Sequence, residues 1–163
     1  MISNKDTELL KLLENDARIP EKDIATMLDI TDEDAKNRIK DLKDKGIIKG
    51  FKTVIDWKKA GKRRVYAIIQ VKVTPQERAG FARAAKEISK DARVNGVYVA
   101  TGEYDLMVFL QGGSIDDISD FVTEKLAPKK EVIGTNTHII LNVFKKDGLE
   151  FFGEDAKRLL VSP

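Results

Sequence analysis

Between Val65 and Lys145 the apolar residues follow one spacing, then another, in an order that few folds accept. "RVYAIIQVKVT" alternates Val65, Ala67, Ile69, Val71 and Val73, the period-two pattern of a strand. "TPQE" then offers Thr74 as a helix cap, Pro75 at the first helical position and Glu77 to close a capping box. Phe81, Ala84, Ala85 and Ile88 form that helix's apolar face. "VNGVYVATG" and "YDLMVFLQGG" read as two strands joined at Gly102–Glu103. Ser114 with Asp117 opens a second helix, with Ile115, Ile118, Val122 and Leu126 inward and Pro128 stopping it. "EVIGTNTHIILNVFKK" is a long last strand. The order β-α-β-β-α-β over residues 65–147 is the split βαβ of a ferredoxin-like sandwich. A tail, 148–163, follows, with a short helix through Ala156, Leu159 and Leu160.

Two helices cover one face of a four-stranded sheet. Yet the third strand carries Leu106, Val108 and Leu110 on one side and Met107 and Phe109 on the other. The last strand sets Ile139, Leu141 and Val143 against Ile140 and Phe144. Strands apolar on both sides need both faces buried. The second face is therefore expected to pack against another copy, giving a homodimer or higher assembly.

The first third, residues 1–50, reads as three short helices. Ser3 and Asp6 form a capping-box-like start, and Leu9, Leu10, Leu12 and Leu13 supply an apolar face. Pro20 suits the first turn of the second helix, whose buried stripe is Ile24, Ala25 and Leu28. Thr31 caps the third, with Ala35, Ile39 and Leu42 inward, and Gly46 ends it. "IIKGFKTVID" then suggests a wing strand through Phe51, Val54 and Ile55, and "WKKAGKRR" a basic linker, together residues 51–64. Three helices with a tight turn before the third, followed by a wing, suit a winged helix-turn-helix. A small helical dimerisation module fits the same spacing.

Charge is concentrated in the connector. Met1 to Ile47 holds nine Lys/Arg against twelve Asp/Glu, whereas Ile48 to Arg64 holds seven against Asp56 alone. The absence of cysteine excludes disulfides and thiolate metal sites, and a single histidine, His138, excludes a histidine cluster. No apolar run approaches the roughly 20 residues of a membrane span, and the charged start "MISNKDTELL" is no signal peptide. A cytoplasmic protein without membrane attachment or cofactor is expected. Catalysis is disfavoured. His138 lies in an apolar strand and suits a structural or interface role, and Asp116-Asp117 and Glu154-Asp155 fall near helix starts, where the dipole accounts for them. Neither a phosphate-binding G-x-x-x-x-G-K-[ST] nor a dinucleotide-binding G-x-G-x-x-G after a strand occurs.

Four stretches together carry a resemblance. "ISNKDTELLKLLENDARIP", "DIATMLDITDEDAKNRIKDLKDKGIIKGFKTVID", "VYVATGEYDLMVFL" and "VIGTNTHIIL" are similar, in this order, to the motifs of the Lrp/AsnC, or feast/famine, family. The likeness runs from about Ile2 to Lys145. It implies a sequence-specific transcription regulator: a winged helix for double-stranded DNA, and a C-terminal domain for assembly and regulation by a small effector, usually an amino acid. It also implies homodimers that often associate into octamers. The family's Gly-x-[Tyr/Phe]-Asp turn falls on Gly102, Tyr104 and Asp105, with Thr101 beside them and Thr135 and Thr137 contributed by the last strand. The chemistry suits an amino acid, since Asp105 can accept from its ammonium and backbone N–H groups around Gly102 can donate to its carboxylate. A tight turn closed by a turn acid accounts for the same residues.

The third helix departs from the family pattern. Thr31 takes the cap position, Arg38 the second of two arginines and Ile39 the buried aliphatic. Glu33 stands where Ser or Thr is usual, Asn37 where the first arginine is usual, and Ala35 replaces a larger aliphatic. Thr31, Glu33, Lys36, Asn37, Arg38, Lys40, Lys49 and Lys52 are the expected DNA-facing set, and Asn37 suits adenine. One acid gained and one guanidinium lost also leave open an amino-acid-binding oligomeric scaffold whose DNA binding has weakened.

Overall fold

The structure, a computed structural model, describes residues 2–74 and 81–152. It divides into two compact units, Met1–Thr53 and Val54–Pro163, which places the division inside the basic connector.

In the first unit α1 spans Asn4–Asn15, α2 Glu21–Leu28 and α3 Asp32–Asp44. The α1 capping box forms in full: the Asp6 N–H donates to Ser3 Oγ at 3.1 Å and the Ser3 N–H donates to Asp6 Oδ2 at 3.0 Å. Pro20 sits one residue outside α2, as its cap, and Asp29 ends that helix in the left-handed region at φ 50°. At α3 the Asp34 N–H donates to Thr31 Oγ1 at 3.1 Å. The reciprocal half of the box is not made, because the Asp34 carboxylate lies toward Arg38. Gly46 ends α3 at φ 66°, with the Ile47 N–H on the Leu42 carbonyl at 2.9 Å, a Schellman closure. Leu9, Leu13, Ile24, Ala25, Leu28, Ala35 and Leu42 form the core of this unit.

The strand expected near Phe51 to Ile55 is not formed. Among the described residues, 47–64 carry no strand, and Phe51 and Ile55 are exposed. A strand is stabilised by its ladder partner, and this stretch offers a single β-favouring run with nothing to pair it. Asp56–Gly61 folds into a turn instead. There Asp56 accepts from the Lys59 N–H through its carboxylate and from the Ala60 N–H through its carbonyl.

In the second unit β1 is Val65–Val73, α4 Ala82–Ile88, β2 Val94–Val99, β3 Leu106–Gly112, α5 Ile115–Asp120 and β4 Val132–Ile140. The sheet is antiparallel in the order β2-β3-β1-β4, the ferredoxin-like arrangement. The Pro75 and Glu77 expected to open α4 lie outside the described residues. Ala67, Ile69, Val71 and Val73 of β1 and Leu106, Val108 and Leu110 of β3 are buried together with Ala84 and Ile88 of α4. After Asp120 the chain continues through Phe121–Leu126 in π-helical geometry, with the Ala127 N–H on the Val122 carbonyl at 2.8 Å.

The inward set differs from the expected one. Ile118 and Leu126 are buried, but Ile115 is 61% exposed and Phe121 is fully buried in the core. Residues five apart in an α-helix point about 140° apart. The i to i+5 pattern of a π turn instead brings Phe121 and Leu126 to one face.

The last strand also ends earlier than expected. β4 stops at Ile140, and Lys145–Lys146 (β5) pairs with Leu149–Glu150 (β6) in a separate hairpin. Its turn residues Asp147 and Gly148 have φ 48° and 81°, the positive values that an Asp-Gly type I′ turn requires. A boundary between 147 and 148 therefore falls in the middle of this hairpin. The helix expected through Ala156, Leu159 and Leu160, and the Glu154-Asp155 pair, lie outside the described residues.

Register places Tyr66, Ile68 and Gln70 of β1 on the sheet face away from the helices, beside Gln111, Phe109 and Met107 of β3 and Ile140, His138 and Asn136 of β4. Tyr98 joins them from β2, its ring edge-on to Phe109 at 5.4 Å, and remains 59% exposed.

Candidate functional site

Two places carry the residues singled out from the sequence: α3 with the segment after it, and the turn between β2 and β3.

On α3, Ala35 and Leu42 are buried and Arg38 and Ile39 half-buried, which fixes the helix rotation. Thr31, Glu33, Lys36, Asn37 and Lys40 are all exposed, as are Lys49 and Lys52 beyond the helix. Lys43 lies over the Phe51 ring, 5.5 Å from its centre.

Arg38 differs from the others. Its Nη1 donates to Asp6 Oδ1 at 2.7 Å and reaches Ser3 Oγ at 3.4 Å. Nε is buried and lies 3.5 Å from Asp34 Oδ2, a long electrostatic contact that leaves it without a hydrogen bond. The guanidinium thus ties α3 to the first turn of α1. The Ser3 hydroxyl, then the Ser3 backbone N–H, then the Arg38 guanidinium hold the Asp6 carboxyl down at about 2. Asp6 in turn raises Arg38 above its ordinary value. Sequence reading had no signal for this clamp. Asp6 already has a local reason to be there, as the capping acid, and its partner is 32 positions away.

The β2–β3 turn is built around Asp105. Its N–H donates to the Val71 carbonyl at 3.1 Å and its carbonyl accepts from the Ala100 N–H at 2.9 Å. The register of β1 against β4 shifts between Lys72 and Val73. The Val73 N–H is there taken by Asp105 Oδ2 at 2.9 Å. One carboxylate oxygen therefore serves the fold, and Oδ1 accepts no hydrogen bond among the described residues. Gly102, at φ 133°, is required by its backbone angle. A Cβ built on it meets nothing within 4 Å, so the space beside it is open. Thr101 is exposed and Tyr104 half-buried.

Thr135 and Thr137 lie on β4, opposite Val71 and Ile69. Thr135 is half-buried and Thr137 exposed. β1 separates them from the turn, so Thr135 and Asp105 flank β1 at the level of Val71, about 10 Å apart for two strand spacings. The structure brings Thr101, Gly102, Tyr104 and Asp105 into one turn, with Thr135 near its side and Thr137 further along the strand. A groove of about 350 Å³ lies elsewhere, lined by Glu87, Lys90, Asp91, Phe121, Lys125 and Lys129 among others. It includes none of the turn residues, and its lining mixes acids and lysines.

His138 is exposed on the open sheet face, its Nε2 3.2 Å from Gln70 Oε1, which Asn136 Nδ2 also approaches at 3.3 Å. Among the described residues no group of His, Asp or Glu could hold a metal ion, and no helix is long and apolar enough to cross a membrane.

Two family models match. Residues 2–49 match a winged helix-turn-helix DNA-binding domain, and residues 66–149 match the Lrp/AsnC ligand binding domain. An uncharacterized HTH-type transcriptional regulator of Bacillus subtilis, YugG, is 38% identical over 164 residues, covering 99% of each chain. An uncharacterized HTH-type transcriptional regulator of Pyrococcus furiosus is 35% identical over 146 residues, 90% of this chain and 95% of that one. The crystal structure of PH0061 superimposes with a TM-score of 0.74 at 27% identity, covering 93% of this chain and 99% of that one. NMB0573 of Neisseria meningitidis, solved as a complex with L-Met, superimposes with a TM-score of 0.68 at 19% identity, over 90% and 94% of the two chains; that likeness shows the fold.

Proposed function

Because this chain belongs to the Lrp/AsnC family of HTH-type transcriptional regulators, we propose that it recognises specific double-stranded DNA sites and that a free amino acid tunes its DNA affinity or its assembly. Its homologues and families are regulators rather than enzymes. In this reading α3 faces the DNA and the β2–β3 turn takes the effector. The chain works in the cytoplasm as a homodimer that can associate to an octamer. The open sheet face, with Tyr66, Ile68, Tyr98, Met107, Phe109 and Ile140, supplies the apolar surface for the dimer.

The observation that carries the effector reading is the divided carboxylate of Asp105. One oxygen holds Val73 and the other accepts no hydrogen bond among the described residues, in the same turn as Gly102, which has open space beside it. An α-ammonium is the charge complement of that oxygen. The L-Met complex of NMB0573 supports the fold's capacity for such a ligand.

Because Asp105 also serves the fold, Asp105→Asn is the informative substitution. Its amide oxygen can still accept from Val73, while the charge is gone. Thermal denaturation of the parent with each common amino acid should show a rise in Tm for at least one of them. The asparagine protein should keep its ligand-free Tm to within a few degrees and lose most of that rise. A rise that survives unchanged removes Asp105 from the site.

The DNA reading is tested on labelled DNA from upstream of the chain's own gene, titrated across a salt series. Sequence-preferring binding whose affinity falls steeply with salt is expected. A second reading, the scaffold with weakened DNA binding, draws on Glu33 at the exposed start of α3 and on Arg38 being held by Asp6. Failure to bind at low salt decides for the scaffold.

A further inference from the structure

Of the three first-turn acids of α3, Asp32, Glu33 and Asp34, Glu33 alone lies on the stripe turned away from the helix's buried face. With about 100° between successive residues, the stripe opposite buried Ala35 and Leu42 is Glu33, Asn37, Lys40 and Asp44. Asp34 is turned to Arg38 and Asp41 to Lys45 at 3.6 Å. Glu33 and Asn37 make no hydrogen bond or ion pair among the described residues, and both are exposed. The helix dipole favours any acid at this end. It does not require one on the outermost stripe, where a docked duplex would meet it.

A carboxylate there is selective by exclusion. It is repelled by phosphates and by the acceptor atoms of guanine and thymine, and only an exocyclic amino group offers it a donor. Cytosine N4 is the donor a single carboxylate reads in the major groove, whereas adenine suits the two-sided amide of asparagine. Glu33 and Asn37 are one turn apart, a rise of about 6 Å, which spans about two base pairs at 3.4 Å each. Resting on the DNA-reading function above, we infer that Glu33 is a specificity-determining residue that selects a cytosine in each half-site, with Asn37 selecting an adenine within two base pairs of it. The acid lowers affinity for DNA in general and raises the ratio between the right site and all others.

The test is selection from a randomised duplex library by the full chain, by Glu33→Ala and by Glu33→Gln, each first shown to be folded by circular dichroism. The parent should enrich sites with a fixed cytosine, and replacing that base should weaken parent binding by about 10-fold. Glu33→Ala should lose the preference at that position and bind unselected DNA more tightly than the parent does. Loss of a purely helix-stabilising acid would weaken binding to all sequences alike and leave the preference intact. An unchanged preference in both variants overturns the role of Glu33 while leaving DNA recognition standing. Failure of the parent to enrich any sequence at low salt overturns the DNA-reading function, and this inference with it.

Discussion

Phe109→Asp is expected to convert the proposed homodimer to a monomer, raising its dissociation constant by at least about 100-fold, or about 3 kcal/mol. Phe109 lies at the centre of the open sheet face, opposite Ile68 on β1 and Gly96 on β2, with the Tyr98 ring edge-on to it. In a free protomer an aspartate there points toward solvent. In a dimer closed through this face it would be buried beside Ile68 and Tyr98, and taking a charge out of water there costs several kcal/mol. Losing the aromatic pair weakens the fold itself by about 1 kcal/mol, so a second variant is needed. Ile140→Asp meets that need, because Ile140 lies on the same face, opposite Tyr66, and takes no part in the aromatic pair. Sedimentation velocity at micromolar concentration reads both. If both variants keep the parent's mass, the dimer does not use this face.

How much of this was legible in the sequence follows from the range of each interaction. The three N-terminal helices and the alternation along β1 and β3 are local periodicities, and the residues expected inward there, Leu9, Ile24, Leu42, Ile69 and Val108 among them, are buried or nearly so. The exchange of Ile115 for Phe121 was not legible, because Ile115 and Phe121 both stand three residues from buried Ile118, and spacing alone does not say which end of the helix meets the core. The Asp147-Gly148 hairpin was legible in principle as an Asp-Gly turn, but the flanking two-residue strands are too short to register as alternation. At Asp105 the two readings open in the sequence, turn acid and ligand acceptor, prove compatible. Each oxygen of the carboxylate can serve one of them, and only the structure shows that Val73 takes Oδ2. At Arg38 the expectation of a DNA contact met a competing partner. The family pattern supplied a role for the position, and the guanidinium is found on Asp6, in another helix.

Arg38→Ala decides which role holds. If the guanidinium is a clamp between α1 and α3, its removal should cost the N-terminal unit about 1–2 kcal/mol at neutral pH. That range allows for solvent screening, since the side chains of Arg38 and Asp6 are 29% and 19% exposed. The salt slope of DNA binding should then stay as it is. If Arg38 instead neutralises a phosphate, the slope should fall by about 0.9 with little change in stability. Hydrogen exchange of α1 and α3 amides reads the first unit by itself, which matters because the only tryptophan, Trp57, belongs to the second. The pH dependence gives an independent check. The Asp6 carboxyl is lowered from 3.8 to about 2 in the folded chain. A depressed carboxyl stabilises the fold fully above its unfolded value and loses that contribution as pH falls toward the folded one. The parent should therefore lose stability between about pH 4 and pH 2, as Asp6 protonates and releases Arg38. In the alanine protein Asp6 keeps its Ser3 hydrogen bonds, the largest causes of its shift, so part of that slope should persist. The difference between the two proteins should shrink toward pH 2. A difference that stays constant across this range would mean that Arg38 acts through its packing and not through Asp6.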